Sequence, residues 1–200
     1  MAVIEIGAPQ REELTQRQRW SHYFVFIYAA LAIFIGYNLR VATLNATVPY
    51  INSEVGIRAA YPQRWLIDTS GNYVFRVRDL AQLGFKTSIQ VDVQPVSINT
   101  SARNLLDTLS LSRVSTLSGY RVISRQPYTL PDEQEATAMV YVYVSSDDNP
   151  FLETVPVVVE GMDILTIRRG QAIIVTFLSD ANTFDENLPL FERFLDDLEF

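Results

Sequence analysis

The sequence predicts an α+β protein: a single transmembrane helix, then a mainly antiparallel sheet flanked by helices. Three observations predict it. An uncharged apolar run occupies residues 23–37 and stands apart near the N-terminal end. From residue 55 onward, several runs alternate apolar and polar residues with a period of two and are separated by short turns. Two stretches, 101–117 and 183–200, change to a helical period.

The apolar run justifies the first element. With its flanks it covers residues 20–40, and ~20 residues of helix reach about 30 Å, the thickness of a bilayer core. Trp20 and Tyr23 at one end and Tyr37 at the other suit the two membrane interfaces. Phe24, Phe26, Ile27, Leu31, Phe34 and Ile35 supply the lipid-facing surface between them. Arg11, Arg17 and Arg19 precede the run and Arg40 follows it, so the basic bias places residues 1–19 in the cytoplasm as a short tail. The C-terminal part is then extracytoplasmic, either periplasmic or lumenal. A cleaved signal peptide is the competing reading, and it fits poorly because the charged leader is long.

Residues 41–54 read as a linker, punctuated by Pro49, Asn52 and Ser53. The outer domain then spans 55–200. Short strands are expected at 55–60 and 65–68, followed by alternating strands at 73–79 and 85–96. Ser101 is a plausible N-cap for a helix whose stripe is Leu105, Leu106 and Leu109, with Gly119 ending it. Four strands follow at 120–128, 136–144, 155–168 and 172–178, the third with a turn at Glu160-Gly161. Tyr141 and Tyr143 alternate with Val140, Val142 and Val144, which reads as a central strand covered on both faces. In the final helix Thr183 and Glu186 have capping-box spacing. Phe184, Leu188, Phe191 and Leu195 share one face, and Pro189 requires either a helix start near Asn187 or a kink.

Composition removes whole classes of chemistry. The net charge is −7, with no Lys/Arg cluster of the kind that binds nucleic-acid phosphates. There is no cysteine, so no disulfide, thiol nucleophile or thiolate metal site is available. The only histidine is His22, at the edge of the apolar run, which denies the outer domain every imidazole-based mechanism. No phosphate-binding glycine loop occurs. No cofactor, metal site or catalytic residue is predicted, and the chain is expected not to be an enzyme.

Two surface features carry alternative readings. Tyr61, Pro62 and Trp65 in "YPQRW" are either a structural staple over the core or a ligand-stacking patch. Asp196, Asp197 and Glu199 close the last helix, where negative charge opposes the helix dipole. They serve either solubility or as an acidic docking edge for a basic partner surface. The acidic turn 145–150 reads as solvated, because its spacing is not that of a calcium loop.

The outer domain resembles the PsbP/Mog-type α/β/α sandwich. The resemblance rests on Tyr61-Pro62-Gln63-Arg64-Trp65 after the first strand and on the helix "SARNLLDTLSL" after a strand pair. It rests also on the closing strand–turn–helix "IIVTFLSDANTFDENLPLFERFLDDLEF". It covers roughly residues 55–200. It implies accessory, non-enzymatic work on membrane complexes, possible in photosynthetic electron transport or in respiration. The chain departs from that pattern in its transmembrane anchor and in lacking histidine in the domain. The expected function is therefore a single-pass accessory subunit that stabilises or caps the outer face of a larger membrane protein complex. Its partners are other membrane-protein subunits and the lipid bilayer. The alternative is a membrane-tethered module for a small ligand or metal.

Overall fold

A computed structural model describes residues 16–97, 99–146 and 155–200. Most of the expected cytoplasmic tail (1–15) and the acidic part of the 145–150 turn lie outside the described residues. The chain divides into two units, Met1–Ala46 and Thr47–Phe200.

The first unit is α1 (Gln16–Leu44), 29 residues long. Its apolar part, Trp20–Leu44, has 25 residues, about 37 Å at 1.5 Å per residue and long enough to cross a bilayer core. Phe26, Tyr28 and Ile33 are each more than 70% exposed, and Leu31 is 52% exposed. Such a surface is unfavourable in water and favourable in lipid.

The second unit begins where the linker was expected. Thr47–Asn52 form β1, paired antiparallel with β2 (Ile57–Pro62), while α1 itself continues through Leu44. Residues 41–54 therefore differ from the expected connector. Pro49 is tolerated because β1 is an edge strand, with one side free of ladder bonds. Pro62 is the last residue of β2, opposite Thr47.

The main sheet has seven strands: β3 (Leu66–Asp68), β4 (Phe75–Arg78), β5 (Ser88–Pro95), β6 (Ser118–Thr129), β7 (Glu135–Ser145), β8 (Val157–Arg168) and β9 (Gln171–Asp180). Their order is β3-β4-β5-β9-β8-β7-β6, and every neighbouring pair is antiparallel. Between β5 and β6 runs α2 (Ala102–Thr116), and α3 (Phe184–Asp196) follows β9.

Side chains alternate across the sheet, so its two faces build two cores. One joins Ile89, Val91, Val175 and Phe177 with Phe184, Phe191 and Phe194 of α3 and with Ile57 and Trp65. The Phe177 and Phe191 rings stack at 4.9 Å. The other core places Leu106 of α2 on Met139, Tyr141, Val159, Leu165 and Ile174. Helices thus cover opposite faces, which makes a three-layer sandwich.

Four local expectations are corrected. The strand 157–168 is continuous through Glu160-Gly161. Gly161 serves side-chain packing instead: a Cβ there would lie 2.4 Å from the Tyr141 ring, so only glycine admits that ring. Gly119, with φ +65°, sits inside β6 at a register shift and does not end the helix. β7 is second from the sheet edge, and while Tyr141 and Tyr143 are buried, Val144 on the opposite face is 36% exposed. Thr183 makes no side-chain cap, and α3 starts at Phe184 with Pro189 inside it.

Candidate functional site

On the α2 face the sheet carries a buried polar system. Asp163 of β8 is 0% exposed. Arg113, near the end of α2, reaches it with both terminal nitrogens, one at 3.1 Å. Thr176 of the neighbouring strand donates its hydroxyl at 2.8 Å, and the guanidinium lies 4.4 Å from the Tyr141 ring centroid. Burial pulls the Arg113 guanidinium toward neutrality. The charge and hydrogen bonds of Asp163 outweigh it and hold Arg113 protonated above the ordinary arginine range. Burial likewise pushes the Tyr141 and Tyr143 hydroxyls up.

Beside this pair the system continues outward. Ser110 lies 3.1 Å from the Tyr120 hydroxyl and accepts from Arg125 at 3.2 Å, and Arg125 also pairs with Asp107. Asp92, on the same face of β5, accepts from Gln90 at 2.9 Å. Burial, with the nearby Asp163, raises its carboxyl above the usual range despite that bond and the charges of Arg113 and Arg76. Nothing local signals the Arg113–Asp163 pair: the partners are 50 residues apart, and each reads as an ordinary surface charge on an amphipathic element. These groups fix α2 to the sheet, and the Asp163 carboxylate is closed to solvent.

Open volume lies at the other end of α2. A groove of about 1180 Å³ runs between Ser101–Arg103 and the facing strands, walled by Tyr128, Thr137 and Leu165. It is the size of a large ligand or a peptide segment. Ser101 caps the helix there through its hydroxyl, which accepts from Asn104 N–H.

The residues singled out in the sequence fall into three places. Trp20, Tyr23, Phe24, Phe26, Ile27, Leu31, Phe34, Ile35 and Tyr37 all lie exposed on α1. Trp65 is 8% exposed within the α3-side core, Tyr61 packs on that core half-buried, and the Trp65 backbone N–H donates to the Pro62 carbonyl at 2.9 Å, closing the turn between them. None of Tyr61, Pro62 and Trp65 lines the groove beside Ser101. Asp196, Asp197 and Glu199 are exposed, as an acidic edge requires. Glu199 also bonds through its backbone to Arg58, which ties the C-terminal segment to β2. Among the described residues no group of three or more His, Asp or Glu side chains converges on a common point.

No family model matches the sequence, and no curated protein matches it either. Solved structures do. The cyanobacterial PsbP (CyanoP) of Synechocystis sp. PCC 6803 aligns at 14% identity with a TM-score of 0.56, covering 77% of this chain and 92% of that one. The Ran-binding protein Mog1p of Saccharomyces cerevisiae aligns at 9% identity with a TM-score of 0.50, covering 77% of this chain and 95% of that one. At such identities the likeness speaks for the fold. Joined to the antiparallel sheet between α2 and α3, it assigns the domain that follows α1 to the PsbP/Mog-like fold.

Proposed function

We propose that this chain is a single-pass accessory subunit of a larger membrane protein complex, with α1 as its anchor and the PsbP/Mog-like domain as its binding part. One observation carries the reading: an exposed apolar helix of 25 residues, long enough to cross a bilayer, precedes a complete folded domain. The fold neighbours are compatible with an accessory or binding role, one of them being a Ran-binding protein by name. The basic bias before Trp20 supports a cytoplasmic N-terminus and an extracytoplasmic domain. Ala29, Ala32 and Gly36 provide small-residue surface on α1 for contact with partner helices. Asp196, Asp197 and Glu199 offer an acidic edge to a basic partner surface. A photosynthetic or respiratory complex is the kind of assembly that the resemblance brings to mind, and catalysis is not part of the proposal.

The test is the mass of the particle released by a mild detergent. The expected result is a particle well above one chain plus its micelle, containing other polypeptides in fixed ratio. A monodisperse single chain would overturn the reading.

A further inference from the structure

A second cavity opens on the α2 face of the sheet, about 590 Å³ in volume and lined by residues of β4, β5, β7, β8, β9 and the 79–87 loop. Its size is that of a small-ligand site. Its charge is opposite to that of the molecule. In a chain of net charge −7, the described lining holds Arg76, Arg78 and Lys86 and no carboxylate. Lys86 is also the only lysine in the sequence.

These cations are poorly compensated. Among the described residues, the one carboxylate in ion-pair range of either arginine is Asp68. Asp68 already accepts from the Ser70 N–H at 3.0 Å, the Ser70 hydroxyl at 2.6 Å, the Tyr73 hydroxyl and Arg76 at 3.0 Å. Arg78 reaches it only at 3.8 Å, too long for a hydrogen bond. The Nε atoms of Arg76 and Arg78 are buried with no acceptor among the described residues. The Lys86 amino group donates to the Gln82 carbonyl, which carries no countercharge. Among the described residues, three cations therefore face a concave volume, with the saturated Asp68 behind the arginines and Asp92, held by Gln90, near Arg76.

The cations are also held in place. Gln82 Oε1 accepts from Thr87 N–H at 3.2 Å and from Thr87 Oγ1 at 2.5 Å. Thr87 Oγ1 lies 3.1 Å from Ser179 Oγ in the interior. This brace fixes the loop that carries Lys86, so little ordering is needed to bind. The remaining wall is mixed: Ser88 and Tyr143 offer hydroxyls, and Phe85 and Leu178 offer apolar surface.

We propose that this cleft binds a phosphomonoester on an apolar body, its phosphate held between Arg78 and Lys86 with Arg76 behind. Planar guanidinium groups match phosphate oxygens, and an ammonium adds charge without geometric demand. The apolar body lies along Phe85, Tyr143 and Leu178. This inference uses only the folded domain and does not depend on membership of a complex, which the particle mass reads separately.

The test uses the full chain in nonionic micelles or nanodiscs, with phenyl phosphate as probe and benzyl alcohol as its neutral counterpart. Calorimetry is expected to show saturable binding of phenyl phosphate and none of benzyl alcohol. Arg78→Gln and Lys86→Gln are each expected to weaken binding about tenfold, the loss of one charge-assisted contact. Arg103→Gln, at the other groove, is expected to change nothing. Acylation of Lys86 gives an independent readout. Its protection by phenyl phosphate in solution identifies a free organic phosphate. Its protection only in nanodiscs containing phosphatidic acid identifies a lipid headgroup. Binding indifferent to both substitutions, or Lys86 protected by neither probe, would overturn the proposal.

Discussion

Asp163 shows how a single residue sets the character of the α2 face. It is fully buried, charged and bound by Arg113, Thr176 and, at 3.5 Å, the Tyr141 hydroxyl. Removing it leaves Arg113 buried without a countercharge. Asp163→Leu is expected to cost about 3–5 kcal/mol, while Arg113→Met with Asp163→Leu costs less than that single change. Denaturant midpoints of the four variants of the cycle measure both. Asp92 gives the opposite sign. Its folded-state pKa lies above its unfolded value, so its ionised form lowers stability at neutral pH, and the penalty fades as pH falls through the folded pKa. Asp92→Asn is expected to raise the midpoint near pH 7, with the gain shrinking toward about pH 4, the ordinary aspartate pKa. Little of this was legible beforehand. Period-two alternation assigned Gln90, Asp92 and Gln94 to one face, but it left open whether that face was wet. Which carboxylate meets which guanidinium is decided by strand order, and strand order is not written locally.

Elements were more legible than contacts, because each is declared by its own period and caps. Ser101 caps α2 as its residue type suggests, and the four long strands fall within a few residues of their alternating runs. The failures share a cause: tertiary packing overrode a local signal. Glu160-Gly161 has the composition of a turn, yet the Tyr141 ring claims the space above the glycine. Thr183 has capping-box spacing, yet its hydroxyl lies among Ser179, Gln82 and the Asp180 carbonyl. Pro49 and Asn52 resemble linker residues, yet Tyr50 between them packs on Phe75 with ring centroids 4.4 Å apart. In α3, Pro189 is exposed and lies five residues beyond the first helical residue, so the Asp185 carbonyl lacks its helical donor. Pro189→Ala is expected to stabilise the domain by about 1–3 kcal/mol, read from the shift in denaturant midpoint.

At the scale of the whole molecule, the sequence's clearest statement concerned physical class. An apolar run with aromatic ends, ahead of a domain with neither cysteine nor histidine, has the pattern expected of an anchored binding protein. The fold was legible through the motifs around Trp65, α2 and α3 that resemble the PsbP/Mog type. The basic cleft was not, because Arg76, Arg78 and Lys86 look like unrelated surface charges until β4 and the 79–87 loop bring them together. The accessory-subunit reading depends on α1 being a retained anchor. Leu31 lies near its middle, and an arginine at the bilayer centre costs about 2.5–3.5 kcal/mol. The most direct measurement is the fraction of chain left in membranes after an alkaline wash, for the wild type and for Leu31→Arg. The account predicts that the wild-type chain stays with the membranes with the segment before Thr47 still attached and that Leu31→Arg is depleted from them. A wild-type chain found in the wash, or shortened by loss of the segment before Thr47, would contradict it.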